Sequence, residues 1–344
     1  MRGIAALFVL TRHTGNFWGV WLFKSYLAVD LFFILSGFVI AHAYDQKLQS
    51  GQISNKQFVL IRIIRLAPVY LLALLLATTV SASVGAVDGH AHTVSQILIS
   101  ALFSAFFLPS YMPGSAAFFP LIGPSWSLFF ELIANFLYAA FRSRLTPKAL
   151  PILLIFFGAL VAFCSFRNGN LDTGYTWGPR SIGTGLARCC FGFLFGLYLY
   201  KARHRISKFN GWFATLCVPV LGLAIILILP DCGEFNWIVD FVCVAVAFPI
   251  FVLLASRAET IPFESVWLAL GSASYPIYVL HQPLARLLTL LFPLEIKEHA
   301  PWSGFILVLI LVPATILLER RFDIPIRRWL SSLAMGTRKR AVVY

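Results

Sequence analysis

The sequence predicts an all-α polytopic membrane protein of about ten transmembrane helices plus one re-entrant or interfacial segment, with both termini cytoplasmic. Three observations carry this. Hydrophobic residues make up 59% of the chain and charged residues only 12%, against about 25% charged in ordinary soluble domains. Apolar runs of 17 to 25 residues recur from end to end, the length that crosses a hydrocarbon core of roughly 30 Å. The basic residues behind the net charge of +13 sit in short clusters between those runs, as cytoplasmic loops do under the positive-inside rule. They form no continuous basic face, which argues against a nucleic-acid partner.

The apolar runs fall at about 2–22, 26–44, 58–80, 94–110, 125–141, 149–165, 181–200, 211–229, 236–255, 266–292 and 302–318. The loops DQKLQSGQISNKQ, RSRLTPK, KARHRISK and SRAETIPFES and the tail ERRFDIPIRRWLSSLAMGTRKR carry the basic residues and are expected inside. SVGAVDGHAHT, YMPGSAAFFPLIGP and PDCGEFN hold no Lys or Arg and are expected outside. The first run starts inside and is expected to be retained, since nothing marks a removable leader. The second returns from outside with Asp30 in its outer part, and the third leaves again with Arg62 and Arg65 near its inner end. The run 94–110 has uncharged loops on both sides, so it should not change sides. Its 17 residues include Ser95, Gln96, Ser100 and Ser104, which suits a re-entrant or interfacial segment. The later runs then alternate, so that 302–318 ends inside. Residues 1–330 form a single transmembrane domain, followed by a basic cytoplasmic tail at 331–344.

Ionisable side chains inside such runs mark functional sites by default. In RGIAALFVLTRH, from Arg2 to His13, eleven helical steps return the second residue to within about 20° of the first, roughly 16 Å further along the axis. His13 then lies near mid-membrane, where a neutral imidazole suits a general base, the plainer alternative being helix packing. Arg62 and Arg65 share a helix face three residues before Pro68. With Arg2 at the same inner depth, three guanidinium forks make a receptor for phosphates. Headgroup anchoring is the rival, although Lys47 and Lys56 already supply it nearby.

Glu131 is a lone carboxylate in the outer half of its run, five residues after Trp126 and near Ser127 on the helix surface. It requires a partner, with Arg188 and His13 as candidates. Asp30 raises the same question with less force. Ser274, Tyr278 and His281 fall at i, i+4 and i+7 on one face, and His281 rivals His13 as the base. The six cysteines form no CxxC pair and read as packing residues. His90 and His92 lack a ligand set beyond Asp88, so no metal is expected. No phosphate loop, GxSxG elbow or HExxH occurs.

RGIAALFVLTRH resembles the arginine, ten residues, histidine signature of the membrane-bound acyltransferase-3 family, which includes bacterial O-acetyltransferases of surface polysaccharides. DLFFILSGFVI, RIIRLAP, PSWSLFFELIANFLY and SYPIYVLHQPL fit that family in order, and LLERRFDIPIRR resembles its closing segment more loosely. Members usually carry several residues before the first arginine, which here is residue 2. The resemblance spans nearly the whole chain. It implies a multi-pass acyltransferase of the bacterial inner membrane that uses cytoplasmic acyl-CoA, most simply acetyl-CoA, as co-substrate, with no permanently bound cofactor. It implies His13 as the residue that activates an acceptor hydroxyl or briefly carries the acyl group. Arg2, Arg62 and Arg65 are then expected to hold the donor's phosphates. Glu131 is expected to orient the histidine or bind the acceptor, a carbohydrate or lipid-linked sugar. Asp30, Trp126, Arg188, Ser274, Tyr278 and His281 are expected to support that acceptor side. Two other readings stand beside it: a secondary transporter or flippase using the same buried charges, and an accessory family member without chemistry.

Overall fold

The computed structural model describes residues 1–87, 89–205, 211–259 and 261–335. Asp88 and the tail from residue 336 onward lie outside the described residues. The helices follow the order of the apolar runs. Helix α1 (Arg2–His13) ends where Thr14 leaves helical geometry, at φ −122° and ψ 37°, and its hydroxyl donates back to the Leu10 carbonyl at 2.8 Å. A single turn, α2 (Gly15–Trp18), closes on Gly19 in the left-handed region. The run expected as one helix over 2–22 is thus broken. Polar TRHTGN, between two apolar stretches, supplies the hydroxyls that compete for backbone bonds there.

Helix α3 (Ala28–Gln49) follows a short 3₁₀ turn. Helix α4 (Asn55–Val84) starts on a capping box of Ser54 and Gln57 and contains Pro68. A two-residue hairpin, Ala86–Val87 on His90–Ala91, departs slightly from the all-α expectation. Helix α5 (Val94–Ala105), capped by Thr93 and Gln96, stops before Phe107, which takes φ 58°. At 1.5 Å per residue it is about 18 Å long, too short to cross a bilayer. Ser100 and Ser104 are buried while Leu98, Ile99, Leu102 and Phe103 stay exposed.

The chain continues through α6 (Ser125–Phe141), α7 (Ala149–Asn168) and α8 (Pro179–Ala202). Helix α9 (Val218–Ile228) follows a π turn, and another π turn joins α10 (Asn236–Val242) to α11 (Phe248–Ala255). Then come α12 (Glu264–Leu291), α13 (Pro293–Glu298), α14 (Trp302–Leu318) and, past a π turn, α15 (Ile324–Met335).

Among the described residues, six stretches are long and apolar enough to cross a membrane: Phe23–Gln49, Asn55–Val84, Ala149–Asn168, Pro179–Ala202, Gly233–Ala255 and Trp302–Ala334. The sequence reading counts more because α1, α6 and Phe213–Ile228 are apolar but short, with α6 only 17 residues long. Helix α12 has the length, at 28 residues, but spends it partly on Glu264, His281, Gln282 and Arg286.

Two parallel helix pairs position the polar side chains of the interior. A Cβ on Gly37 of α3 would come within 2.0 Å of the Phe193 carbonyl oxygen, and one on Gly196 of α8 within 2.0 Å of the Ile34 oxygen. Backbones meet there as they do at small-residue crossings in membranes. On the other side, α1 lies along α12. Gly3 sits against Leu270, Ala6 packs in one cluster with Ala273 and Ile277, and His13 faces His281. Within each pair the two helices run in the same direction, since residues nearer the start of one meet residues nearer the start of the other. Gly196→Leu is expected to lower the unfolding midpoint of the protein in detergent, because no rotamer takes its Cβ off the Ile34 carbonyl. The loss should reach or exceed the ~1–3 kcal/mol of ordinary overpacking. An unchanged midpoint would contradict the backbone contact.

Candidate active site

At the end of α1, the His13 Nδ1 lies 2.9 Å from the Val9 carbonyl oxygen. A carbonyl only accepts, so Nδ1 carries the proton and Nε2 keeps a basic lone pair. His281 repeats the arrangement on α12, with Nδ1 3.0 Å from the Ile277 oxygen. The two rings lie 5.0 Å apart between centroids. Exposure separates them. His281 is 1% exposed and its Nε2 has no partner among the described residues, whereas His13 is exposed. His13 lines a cavity of about 820 Å³ between α1, α4 and α12, and also a second cavity of about 320 Å³. Val84 and Gly89 line the larger cavity as well.

At the other end of α1, Arg2 meets Arg62 and Arg65 of α4 around a small cavity of about 60 Å³, as their shared depth predicts. Glu131 of α6 lies there too. It accepts from Arg62 at 2.8 Å and from the Ser36 hydroxyl at 2.6 Å. The expected partners Arg188 and His13 are therefore replaced by Arg62. Glu131 belongs with the arginines and not in the outer half, because α6 packs against the lower part of α4 and against Ser36 of α3. The Nε atoms of Arg2 and Arg62 are buried without a partner among the described residues. Arg65 is 3.5 Å from Asp323, which also holds Arg327 at 2.8 Å, so the closing segment reaches this cluster.

The three residues predicted to share a face of α12 divide between these ends. Ser274 lines the arginine cavity and donates to its own helix at Gly271. Tyr278 lines both the arginine cavity and the 320 Å³ cavity and bonds Ser127 at 2.7 Å. His281 stands beside His13.

Asp30 and Arg188, 0% and 1% exposed, form a two-point ion pair at 3.0 and 2.7 Å, and the guanidinium lies 5.3 Å from the Trp126 ring centre. That arrangement braces α3 against α8.

Sequence reasoning missed two ionic groups. Arg12 donates to the Phe23 carbonyl at 2.8 Å and pairs with Asp172. Lys24, fully buried, is held by Asp240 at 2.6 Å and by Asn236, and Tyr26 donates to the same Asp240 at 2.7 Å. Lys24 had a signal: it is a basic residue on a side that the charge pattern leaves nearly bare. Gln282 was missed as well; its Oε1 accepts from the Gly123 N–H at 2.7 Å.

The site thus has a cluster of three arginines at one end and a basic imidazole open to a cavity at the other, joined by one helix. Such a pair can bind an anionic group and take a proton some 16 Å away.

The family model described as an acyltransferase domain matches residues 1–320. Over 164 residues the chain is 39% identical to "Protein 2 in picA locus" of Rhizobium radiobacter, which is 45% of this chain and 85% of that protein. Over 136 residues it is 33% identical to "Exopolysaccharide production protein ExoZ" of Rhizobium meliloti (strain 1021), 39% of each chain. The chain therefore matches well under half the length of this second relative. No solved structure matches it significantly.

Proposed function

The chain belongs to the acyltransferase-3 family, and on that premise we propose that it moves an acyl group, most simply acetyl, from acyl-CoA to a hydroxyl of a carbohydrate. The observation that carries this reading is the single helix α1, with Arg2 in a triple-arginine cluster and His13 open to a cavity. The donor's phosphates bind Arg2, Arg62 and Arg65 from the cytoplasmic side of an inner membrane, and its extended arm carries the thioester toward His13. The acceptor enters from the opposite face. One relative is named for exopolysaccharide production, which supports a saccharide there.

In the transfer itself, the acceptor oxygen attacks the thioester carbonyl while His13 Nε2 takes the hydroxyl proton. The carbon–sulfur bond then breaks, and the leaving thiolate recovers that proton from the imidazolium. The products are an O-acyl ester and free CoA. Tyr278 and Ser127 stand between the two ends. Glu131 acts here as the counter-ion of the arginine cluster, displaced from Arg62 when phosphate arrives.

The test is a CoA titration of the protein in lipid vesicles, with transfer of labelled acetyl from acetyl-CoA to saccharides measured in parallel. Arg62→Met should weaken CoA binding about tenfold to hundredfold, the loss expected for ~1.5–3 kcal/mol of charged hydrogen bonds. Glu131→Gln should tighten it, since a competing carboxylate is gone. Folded protein that neither binds CoA nor transfers label would sink this reading, and solute flux in the same vesicles would replace it with transport.

A further inference from the structure

The 320 Å³ cavity beside His13 differs in character from the larger one. Trp21, 62% exposed, and Tyr175, 38% exposed, line it together with the Trp126 ring. Arg12 lies 5.2 Å from the Trp21 ring centre and pairs with Asp172 through one carboxylate oxygen. The other oxygen, Oδ1, has no partner among the described residues, and the Asp172 side chain is 27% exposed. Gln282 gives its Oε1 to Gly123 and keeps its two amide hydrogens for the cavity. A volume of 320 Å³ lies at the small end of ligand sites, about 300–1,000 Å³, so one small ring fits and a long chain does not.

Charge narrows the ligand further. Arg12 is balanced by Asp172 and Arg188 by Asp30. The end of the cavity between Trp21 and Asp172 therefore offers no unbalanced cation to an anion. It offers aromatic faces, one open carboxylate oxygen and an amide donor. Those groups suit a neutral polyol whose C–H face stacks on a ring while adjacent hydroxyls donate to a carboxylate. The same cavity opens on the basic imidazole.

We propose that this cavity is the acceptor subsite, taking one neutral pyranose ring with Trp21 as its platform and Asp172 Oδ1 as the acceptor of its hydroxyls. The inference rests on the acyl-transfer reading and assigns its acceptor side. Asp172 is thereby a specificity residue, in contact with the sugar and outside the proton transfer.

The experiment uses the full protein in lipid vesicles with methyl glucopyranoside as probe, methyl glucuronide as its charged counterpart, and labelled acetyl-CoA. Saccharide binding is read from tryptophan fluorescence, independently of turnover. Asp172→Ala should raise the half-saturating glucoside concentration at least tenfold, with CoA affinity unchanged. Trp21→Ala, at an exposed position, should do the same and guards against misfolding of the first variant. Unchanged saturation in both variants, no glucoside response in the wild type, or a preference for the glucuronide would each overturn the assignment. Glucoside binding that needs Asp172, with no acetyl transfer at all, would keep the subsite and remove the enzyme reading.

Discussion

Replacing His13 with alanine is expected to lower acyl transfer about 10²–10⁴-fold, the range contributed by a positioned general base, while CoA binding stays unchanged. The expectation rests on tautomer and access. Both histidines spend Nδ1–H on the carbonyl four residues earlier, so both offer a basic Nε2. Only His13 presents that atom to a cavity, since His281 is 1% exposed. His281→Ala should therefore give a smaller fall, by letting the His13 ring lose its neighbour at 5.0 Å. Added imidazole should restore part of the rate in His13→Ala, because a cavity of about 820 Å³ adjoins the vacated position. A rate that survives His13→Ala but collapses in His281→Ala would exchange the two roles.

The largest expected effect on stability is at the other buried pair. Asp30→Ala leaves the Arg188 guanidinium 1% exposed with its two-point carboxylate gone. Breaking a buried pair from one side costs about 3–5 kcal/mol, which denaturant unfolding in detergent would register directly. The Thr173 and Tyr26 carbonyls that also accept from Arg188 cannot neutralise it. Removing both charges, in Asp30→Leu with Arg188→Met, should recover most of the loss, because two apolar chains can fill the space between α3 and α8. If the single variant were as stable as the wild type, water or another anion would have to reach Arg188.

Legibility in the sequence depends on the kind of signal each residue gives. Arg2, Arg62 and Arg65 were legible as a cluster because charge bias fixes their depth and helical periodicity fixes their face. The partner of Glu131 was not. Its depth was inferred from a short run whose charged loop lies on one side only, and helix neighbours are chosen by packing that no local pattern records. The break after His13 had a local signal in TRHTGN, outweighed by the apolar residues on either side. Asp172 had none, since it lies in the polar loop NGNLDTGYTWGP, where an acidic residue is unremarkable. The count of crossings differs for another reason: the run 266–292 reads as a crossing in the sequence, whereas length and composition leave α12, with His281, Gln282 and Arg286 in its second half, out of the six.

The ordered helix between Arg2 and His13 also fixes a phase. Each residue turns the next by 100° and lifts it 1.5 Å, so the ten residues between the two set an angle as firmly as a distance. One residue inserted in α1 would swing the imidazole about 100° off its cavity while moving it hardly at all along the axis. Three or four inserted residues would bring it back to the same side, but about 5 Å too far along. Length and direction are satisfied together only near the present spacing, and α12, locked alongside through Gly3 and Leu270, prevents the helix from rotating to compensate.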